Sequence, residues 1–391
     1  MTIAMRPGSD PMRIVLAAEP TGGGVLRHVL DLAEGLPRRG FRVLLVHARQ
    51  GISGAFAERL ARRGEFGYET ATLDVQRAPG GHDVGATVAL RRVIRAFGGA
   101  DVLHGHSSKA GALARLGRWS RARRVVYTPH AWYTQNPALG AASRGAYRLI
   151  ERALALVTDR IISVSRDEAE HAVELGIGRR KLVLIENGIE TWTRGQVARA
   201  RTATRARLGI AADDVVVGFL GRLAPQKAPD VAVRVFRRLL DERPDTRVVL
   251  AGDGPESASI YALMGELGVA DRVLTLPAAN GPEVIPAFDL FLMTSRYEGF
   301  PYVLLEALAA GCAIVTTRVG GVADCVVDGV NGSVVDTLDP APIARTVLAI
   351  VNDPARLAAM RAEARERATL FSIDRMLDRT ADLYRSLHEA D

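Results

Sequence analysis

The sequence predicts an α/β protein built from two parallel sheets in series. Three observations predict it. Strand-length apolar runs recur along the chain, most of them followed by a turn and a helical pattern, which is the rhythm of a parallel sheet. That rhythm stops and restarts after a charged, helix-prone stretch near residues 193–209. The length, 391 residues, suits two or three domains at roughly 150 residues each, and a composition of 48% hydrophobic and 24% charged residues is that of a packed globular chain rather than a disordered one.

The first sheet is predicted from Arg13–Ala18, Phe41–His47, Asp101–His104, Arg124–Thr128, Arg160–Val164 and Lys181–Ile185. The second is predicted from Val215–Leu220, Arg247–Ala251, Val273–Leu276, Leu290–Thr294 and Ala313–Thr317. Asn187-Gly188-Ile189 is a turn signal where the periodicity breaks. The boundaries follow as a first Rossmann-like domain over 1–190, a second over 191–370, and a terminal helix over 371–391. In that helix Ile373, Met376, Leu377, Ala381, Leu383, Tyr384 and Leu387 approximate one apolar stripe, which could pack on either domain.

The longest apolar run, Ala307 to Val315, is too short to span a bilayer, and the opening MTIAMRPGSDPM lacks the apolar core of a secretory signal. A cytoplasmic protein is expected. Cys312 and Cys325 alone make neither a disulfide framework nor a four-ligand zinc pattern. Residues 1–191 hold 28 Lys/Arg against 18 Asp/Glu, and residues 192–391 hold 23 against 26, so the overall charge of +7 comes from the first half. Arg115, Arg118, Arg121, Arg123 and Arg124 surround Trp119. This cluster is either a solvated face or a patch for an anionic membrane surface; nucleic acid is not expected, since no recognition motif accompanies the charge.

In open parallel sheets, ligands bind beyond the carboxyl ends of the strands. At the first such end, Thr21-Gly22-Gly23-Gly24 leads into a helix, and its amides can approach a phosphate; the spacing is not G-x-G-x-x-G, so NAD is not inferred. Next come His104-Gly105-His106-Ser107-Ser108-Lys109 and Thr128-Pro129-His130-Ala131-Trp132. No acidic or cysteine ligand accompanies these histidines at a metal spacing, so no metal is expected. His130 is read as a hydrogen-bonding group for a substrate hydroxyl, with His106, Lys109 and Trp132 as acceptor-side candidates. In the second half, Gly221-Arg222 and Lys227 follow a strand, where two cations could neutralise a diphosphate. Gly252-Asp253-Gly254-Pro255 reads as structural turn chemistry.

The segment SRYEGFPYVLLEALAAGCAIVTT, residues 295–317, holds two glutamates eight residues apart. Pro301 suits the first turn of a helix, which leaves Glu298 in the preceding loop and Glu306 inside the helix. The free amides from about Gly299 through Phe300 and Val303 to Leu304 can meet phosphate or sugar oxygens. Glu298 can accept from sugar hydroxyls and Glu306 from a ribose diol.

With these motifs together the chain resembles the retaining GT-B glycosyltransferases of family 4. The resemblance covers nearly the whole chain: the glycine loop at 21–24, His130, Gly221-Arg222 with Lys227, EGFPYVLLEALAAG, and VGGVADCVVDGVNG at 319–332. It implies a GT-B fold, two Rossmann-like domains facing across a cleft, with the acceptor on the first and a nucleotide sugar on the second. It implies that Glu298 contacts the donor sugar, Glu306 the ribose, Arg222 and Lys227 the diphosphate, and His130 the sugar near the reacting centre, with Gly22, Gly23 and Gly24 approaching from across the cleft. It also implies that the terminal helix crosses back to the first domain. The absence of any D-x-D triplet agrees with members that need no metal or other cofactor, and the family implies retention. The HSSKAG and TPHAW segments most resemble members that build bacterial exopolysaccharide or lipid-linked glycans, often with glycine where this chain has Ala131. UDP is the family-weighted nucleotide, and a lipid-linked acceptor with peripheral attachment to the membrane is the expectation. A soluble natural-product acceptor or a GT-B sugar-nucleotide epimerase is the alternative.

Overall fold

In the computed structural model the described residues are 10–19, 22–49, 54–75, 80, 82–118, 121–277 and 279–389. Trp119, Thr21 and the first nine residues, on which some of the expectations above fall, lie outside them. The chain divides into one unit of Met1–Asn187 with Asp374–Asp391, and a second of Gly188–Ile373.

Unit 1 is a seven-stranded sheet of β1 (Arg13–Ala18), β2 (Arg42–Ala48), β3 (Glu69–Leu73), β4 (Ala100–His106), β5 (Ala122–Thr128), β6 (Arg160–Ser163) and β7 (Leu182–Leu184), in the order β3-β2-β1-β4-β5-β6-β7. Every pairing is parallel. Strand order reverses between β1 and β4, so the connections that leave their carboxyl ends diverge and leave room for a ligand. The register there sets Ala18 against His106 and His106 against Thr128. Both central strands are buried along nearly their full length, as a sheet covered on two faces requires.

Unit 2 repeats the plan with six strands: β8 (Val216–Leu220), β9 (Arg247–Ala251), β10 (Val273–Leu276), β11 (Leu290–Met293), β12 (Ala313–Thr317) and β13 (Gly332–Val335), ordered β10-β9-β8-β11-β12-β13 and all parallel. One face of this sheet packs Val217, Phe219, Val248 and Leu292 against Phe236 and Leu239 of the helix Pro229–Glu242 and Val347 of the helix Pro340–Val351. Under the sheet's other end, Asp289 takes ion pairs from Arg201, Arg205 and Arg361 and accepts the Val216 amide at 2.9 Å. A carboxylate only 5% exposed is tolerated there because every face of it is met by a donor.

The sequence reading missed β3 and β13, one edge strand of each sheet, and found the other edges, β7 and β10. The terminal helix, Ile373–Glu389, packs on unit 1. Met376, Leu377, Ala381, Leu383, Tyr384 and Leu387 are its buried row. Arg39 pairs with Asp374 and Asp378, and Arg124 donates to the Leu387 carbonyl at 3.0 Å. At the point where the chain passes between units, Ile189 bridges Ser372, and a side chain on Gly188 would lie 2.7 Å from the Ser372 carbonyl. That contact requires glycine.

Candidate active site

In unit 1 four histidines converge at the carboxyl ends of β1, β4 and β5. His104 and His106 are two residues apart on β4 and so share a face, with ring centroids 3.9 Å apart. His130 follows β5 by two residues, and His28 comes from the helix Gly23–Gly35. His106 Nδ1 and His130 Nε2 share a hydrogen bond of 3.1 Å. His28 Nδ1 lies 3.0 Å from Asn187 Oδ1, and the His28 and His130 rings meet edge to face at 4.7 Å. Below them His104 bridges the Tyr384 hydroxyl at 2.6 Å and Thr128 Oγ1 at 2.8 Å.

These rings are neutral. Burial pushes His28 down from 6.5 to about 4 and pushes His104, His106 and His130 well below their ordinary value. An ammonium-like charge would lack water here and would face three other rings. His130 is the half-buried member, so it is the one open to a ligand. His106 is fully buried, and its Nε2 has no hydrogen-bond partner among the described residues. It therefore orients His130 from beneath rather than offering itself to an acceptor.

The sequence reading saw no metal spacing, yet His28, His106 and His130 each bring a ligand atom within 4.8 Å of the others. Nitrogens around one tetrahedral zinc are on the order of 3.4 Å apart. The pairing of His106 with His130 and of His28 with Asn187 already accounts for this closeness.

The loop that carries His130 is held in an uncommon conformation. His130 and Ala131 both have positive φ, 55° and 85°, where non-glycine residues are disfavoured. Glu168 stabilises it: its carboxylate accepts the Ala131 amide at 2.6 Å and the Val164 amide at 2.7 Å. Burial raises the Glu168 carboxyl to about 7 despite those two bonds. Trp132 is a correction to the acceptor-side expectation. It is 2% exposed, donates its indole N–H to the Glu168 carbonyl at 3.1 Å, and stacks edge-on against Tyr127 in the core. Lys109 pairs with Asp83 at 2.5 Å. The glycine loop behaves as expected in one respect: Gly22 caps the helix Gly23–Gly35, Gly22, Gly23 and Gly24 are exposed, and Gly23 takes a φ of 73°.

The basic cluster dissolves on inspection. Arg115 is fully buried, paired with Glu151 at 2.6 Å and laid over the Tyr127 ring. Arg118 and Arg124 both reach Asp159, and Arg123 lies 3.7 Å from Asp101. Most of this charge is already neutralised within the unit.

In unit 2 the corresponding strand ends carry charge. Lys227 Nζ meets Glu298 Oε1 at 2.5 Å. The same oxygen accepts from Ser295 Oγ at 2.8 Å, and Gln226 approaches Oε2 at 3.4 Å. The two loops are stitched together by Thr294 Oγ1 on the Lys227 and Ala228 carbonyls and by the Arg296 amide on the Gln226 carbonyl at 2.7 Å. Arg222 is exposed, and its side chain makes no hydrogen bond or ion pair among the described residues. Its guanidinium is available to an anion.

The helix after Glu298 runs Tyr302–Ala310 with Pro301 as its N-cap, so it begins one residue later than the sequence reading has it. Leu304 is fully buried and Phe300 packs against Phe371 at 5.6 Å. At Gly299, Phe300 and Leu304, then, only backbone amides can serve a ligand, whereas Val303 is half-buried. Glu306 is half-buried too, and its carboxylate rests on Gly281, where an added Cβ would stand 2.1 Å from Oε2.

Sequence reading missed His28, Asn187, Glu168 and Gly281, and it gave the pair Gly320–Gly321, inside the VGGVADCVVDGVNG segment, no role of its own. A Cβ on Gly320 would fall 2.4 Å from the Glu298 carbonyl, and one on Gly321 would fall 2.3 Å from the Phe300 ring. That loop presses on the Glu298 turn and fixes it. A signal existed for the glycine pair, since adjacent glycines after a buried strand mark close backbone approach; none existed for His28, which sits inside an apolar helix row.

Comparison with known proteins agrees with both halves. The family described as Glycosyltransferase Family 4 matches residues 22–192, and Glycosyl transferases group 1 matches residues 200–367. The chain is 33% identical over 307 residues to D-inositol 3-phosphate glycosyltransferase of Streptomyces avermitilis, which covers 74% of this chain and 66% of that protein. It is 32% identical over 316 residues to D-inositol 3-phosphate glycosyltransferase 1 of Catenulispora acidiphila, 76% of this chain and 75% of that protein. Among solved structures, Anabaena Alr3699/HepE in complex with UDP and glucose superposes with a TM-score of 0.79 at 21% identity, covering 96% of this chain and all of that one. Sucrose-phosphate synthase from Thermosynechococcus elongatus gives 0.80 at 21% identity, covering 97% of this chain and 100% of that one. These likenesses establish the GT-B fold.

Proposed function

The chain belongs to the family 4, group 1 glycosyltransferases, and from that premise we propose that it moves a hexose or N-acetylhexosamine from a UDP sugar to an acceptor hydroxyl with retention and without a metal. The observation that carries this is the Lys227–Glu298 pair at the strand ends of unit 2, with an unpaired Arg222 on the same loop as Lys227 and the Tyr302–Ala310 helix starting just after Glu298. Arg222, one or more donors of the Lys227 ammonium and the helix amides stabilise the negative charge that develops on the departing diphosphate. Glu298, paired with Lys227 and oriented by Ser295, accepts from the sugar's hydroxyls. Glu306 takes the ribose diol. His130, neutral and oriented by His106, hydrogen-bonds the sugar near its anomeric carbon. The bond from that carbon to the phosphate oxygen breaks as the bond to the acceptor oxygen forms on the same face, and the acceptor's proton passes to the leaving phosphate.

The acceptor we favour is a lipid-linked glycan intermediate met at a membrane surface, in keeping with the HSSKAG and TPHAW segments. No helix among the described residues is long and apolar enough to cross a membrane. A second reading, transfer to a small phosphorylated polyol, is favoured by the names of the relatives at 31–33% identity.

Thermal unfolding with UDP, GDP, ADP and their sugar conjugates tests the donor. A ligand selective for the folded state raises the melting temperature by mass action, about 2.7 kcal/mol at a hundredfold excess over Kd. A shift with UDP and one UDP sugar is expected. A shift with GDP or ADP alone would overturn the assignment of UDP. Transfer assays with the selected donor, using a polyprenyl-diphosphate glycan and inositol 3-phosphate as acceptors, then separate the two acceptor readings.

A further inference from the structure

The helix Ala141–Leu156 of unit 1 is amphipathic in the wrong sense for a core element. Its inward side is narrow: Glu151 and Ala155 are its buried residues, and Glu151 is tied to the buried Arg115. Its outward side is apolar. Ala142, Ala146, Leu149, Ala153 and Leu156 follow the 4-3-4-3 spacing of one helical stripe, and all five are exposed, with Leu149 at 66% and Leu156 at 80%. Ile150 beside the stripe is 50% exposed. Just ahead of the helix, exposed Tyr133 lies 4.6 Å from the Tyr147 ring and places an aromatic pair at its start.

Along one flank of the stripe run Arg144, Arg148 and Arg152, four residues apart and exposed. Arg144 donates to the Asn136 and Leu139 carbonyls and Arg148 to the Glu174 carbonyl at 2.9 Å. None of the three has a carboxylate partner among the described residues; the nearby Glu174 carboxylate faces His171 at 3.3 Å. Backbone carbonyls fix Arg144 and Arg148 in place and leave their charge whole. The contrast with Arg115, Arg118 and Arg124, which are spent on carboxylates inside the unit, is direct.

We propose that this helix is the docking surface of the enzyme, lying in the interface of an anionic bilayer with Leu149, Ile150 and Leu156 among the acyl chains and Arg144, Arg148 and Arg152 on lipid phosphates. The charge pattern selects this occupant. An apolar row flanked by uncompensated cations is the signature of an interfacial helix, and a basic flank finds its counterpart in an anionic lipid headgroup. A second copy of the chain would bring the same cations and no matching acids. The helix begins eleven residues after His130 on the same connecting segment, so docking would present that histidine to an acceptor whose lipid lies in the same membrane. This deepens the lipid-linked acceptor reading, and the test below contains neither donor nor acceptor, so the two can fail separately.

The whole chain is co-sedimented with vesicles of phosphatidylcholine alone and of phosphatidylcholine mixed with phosphatidylglycerol. Binding to the anionic vesicles alone is expected, weakening as salt rises. The pairs Leu149→Glu with Leu156→Glu and Arg148→Glu with Arg152→Glu should each weaken it more than about tenfold while leaving the circular dichroism melt unchanged, because all four side chains are exposed. Absence of sedimentation with anionic vesicles overturns the proposal, as does sedimentation that neither variant changes. A dimer in light scattering that the leucine pair dissociates, without vesicle binding, overturns it in favour of a contact between copies.

Discussion

The two units use the same parallel sheet plan and place functional groups at the same strand ends, yet they build opposite electrostatics there. Unit 1 gathers four histidines, buries three of them outright and keeps the set uncharged. Unit 2 sets a lysine against a glutamate and leaves an arginine bare on the loop after β8. The difference suits the division of labour proposed for the two halves of a glycosyl transfer. A leaving diphosphate needs fixed positive charge, whereas a sugar or acceptor hydroxyl needs directional hydrogen bonds without a competing ion.

The largest effect is expected from breaking the charged half. Lys227→Ala and Glu298→Ala should each lower transfer by about two to three orders of magnitude, the range for losing a preorganised electrostatic group, with the fold intact by circular dichroism. The corresponding His130→Ala should lose less, since a neutral hydrogen bond is worth roughly half a charged one. Transfer rates near wild type in both charged-half variants would remove the assignment, and a larger loss at His130 would invert the comparison.

The neutral half is tested by acid. A buried histidine whose folded value is depressed below 6.5 contributes stability that is present above that value and lost as the pH falls through the folded one. For His28, with a folded value of about 4, the contribution is on the order of 3 kcal/mol. Glu168 runs the other way: raised to about 7 from 4.5, it adds stability below 4.5 that is lost as the pH rises through 7. Four histidines oppose one glutamate. Hydrogen exchange of the β4 and β5 amides should therefore accelerate as the pH falls from about 6.5 to about 4, after correction for intrinsic rates. His28→Gln should reduce that dependence by about one proton. An unchanged slope in the variant would mean that His28 is not the buried neutral group assigned here.

Much of this contrast was legible in the sequence, and unevenly so. The central strands were predicted within a residue or two because burial on both faces makes them near-continuous apolar runs, as in Ile14–Leu16 and Phe291–Leu292. The edge strands β3 and β13 were missed: Glu69-Thr70-Ala71-Thr72-Leu73 has little apolar content, and Gly332-Ser333-Val334-Val335 looks like the end of a turn. Lys227 and Glu298 could be nominated from local sequence, since each follows a strand. That they touch could not, because the contact joins loops 71 residues apart. The histidine cluster was harder still. His28 enters from a helix, Asn187 from the end of the unit and Tyr384 from the terminal helix, and only the folded register brings them together. Trp132 was misjudged for a related reason: an aromatic beside a strand-end histidine suits a sugar platform, but its indole N–H turns inward to the Glu168 carbonyl.

The smallest expected effect sharpens the comparison at the level of the backbone. Each unit places one alanine in the left-handed region beside its functional loop, Ala131 at a φ of 85° and Ala228 at 47°. The methyl group costs about 1–2 kcal/mol in that region, and glycine would return part of the gain through the entropy of the unfolded chain. Ala131→Gly should therefore stabilise unit 1 by about 0.5–1 kcal/mol, read as a rise of roughly 1–4 °C in its melting transition. The Glu168 carboxylate should oppose any loosening, since the amide it accepts at 2.6 Å stays in place when the methyl is removed. Transfer should then change little, and the alanine would be a tolerated strain. A fall in transfer with the stability gained would instead assign the strain a role in aiming His130, because relief of the backbone would have let the ring leave its contact with His106.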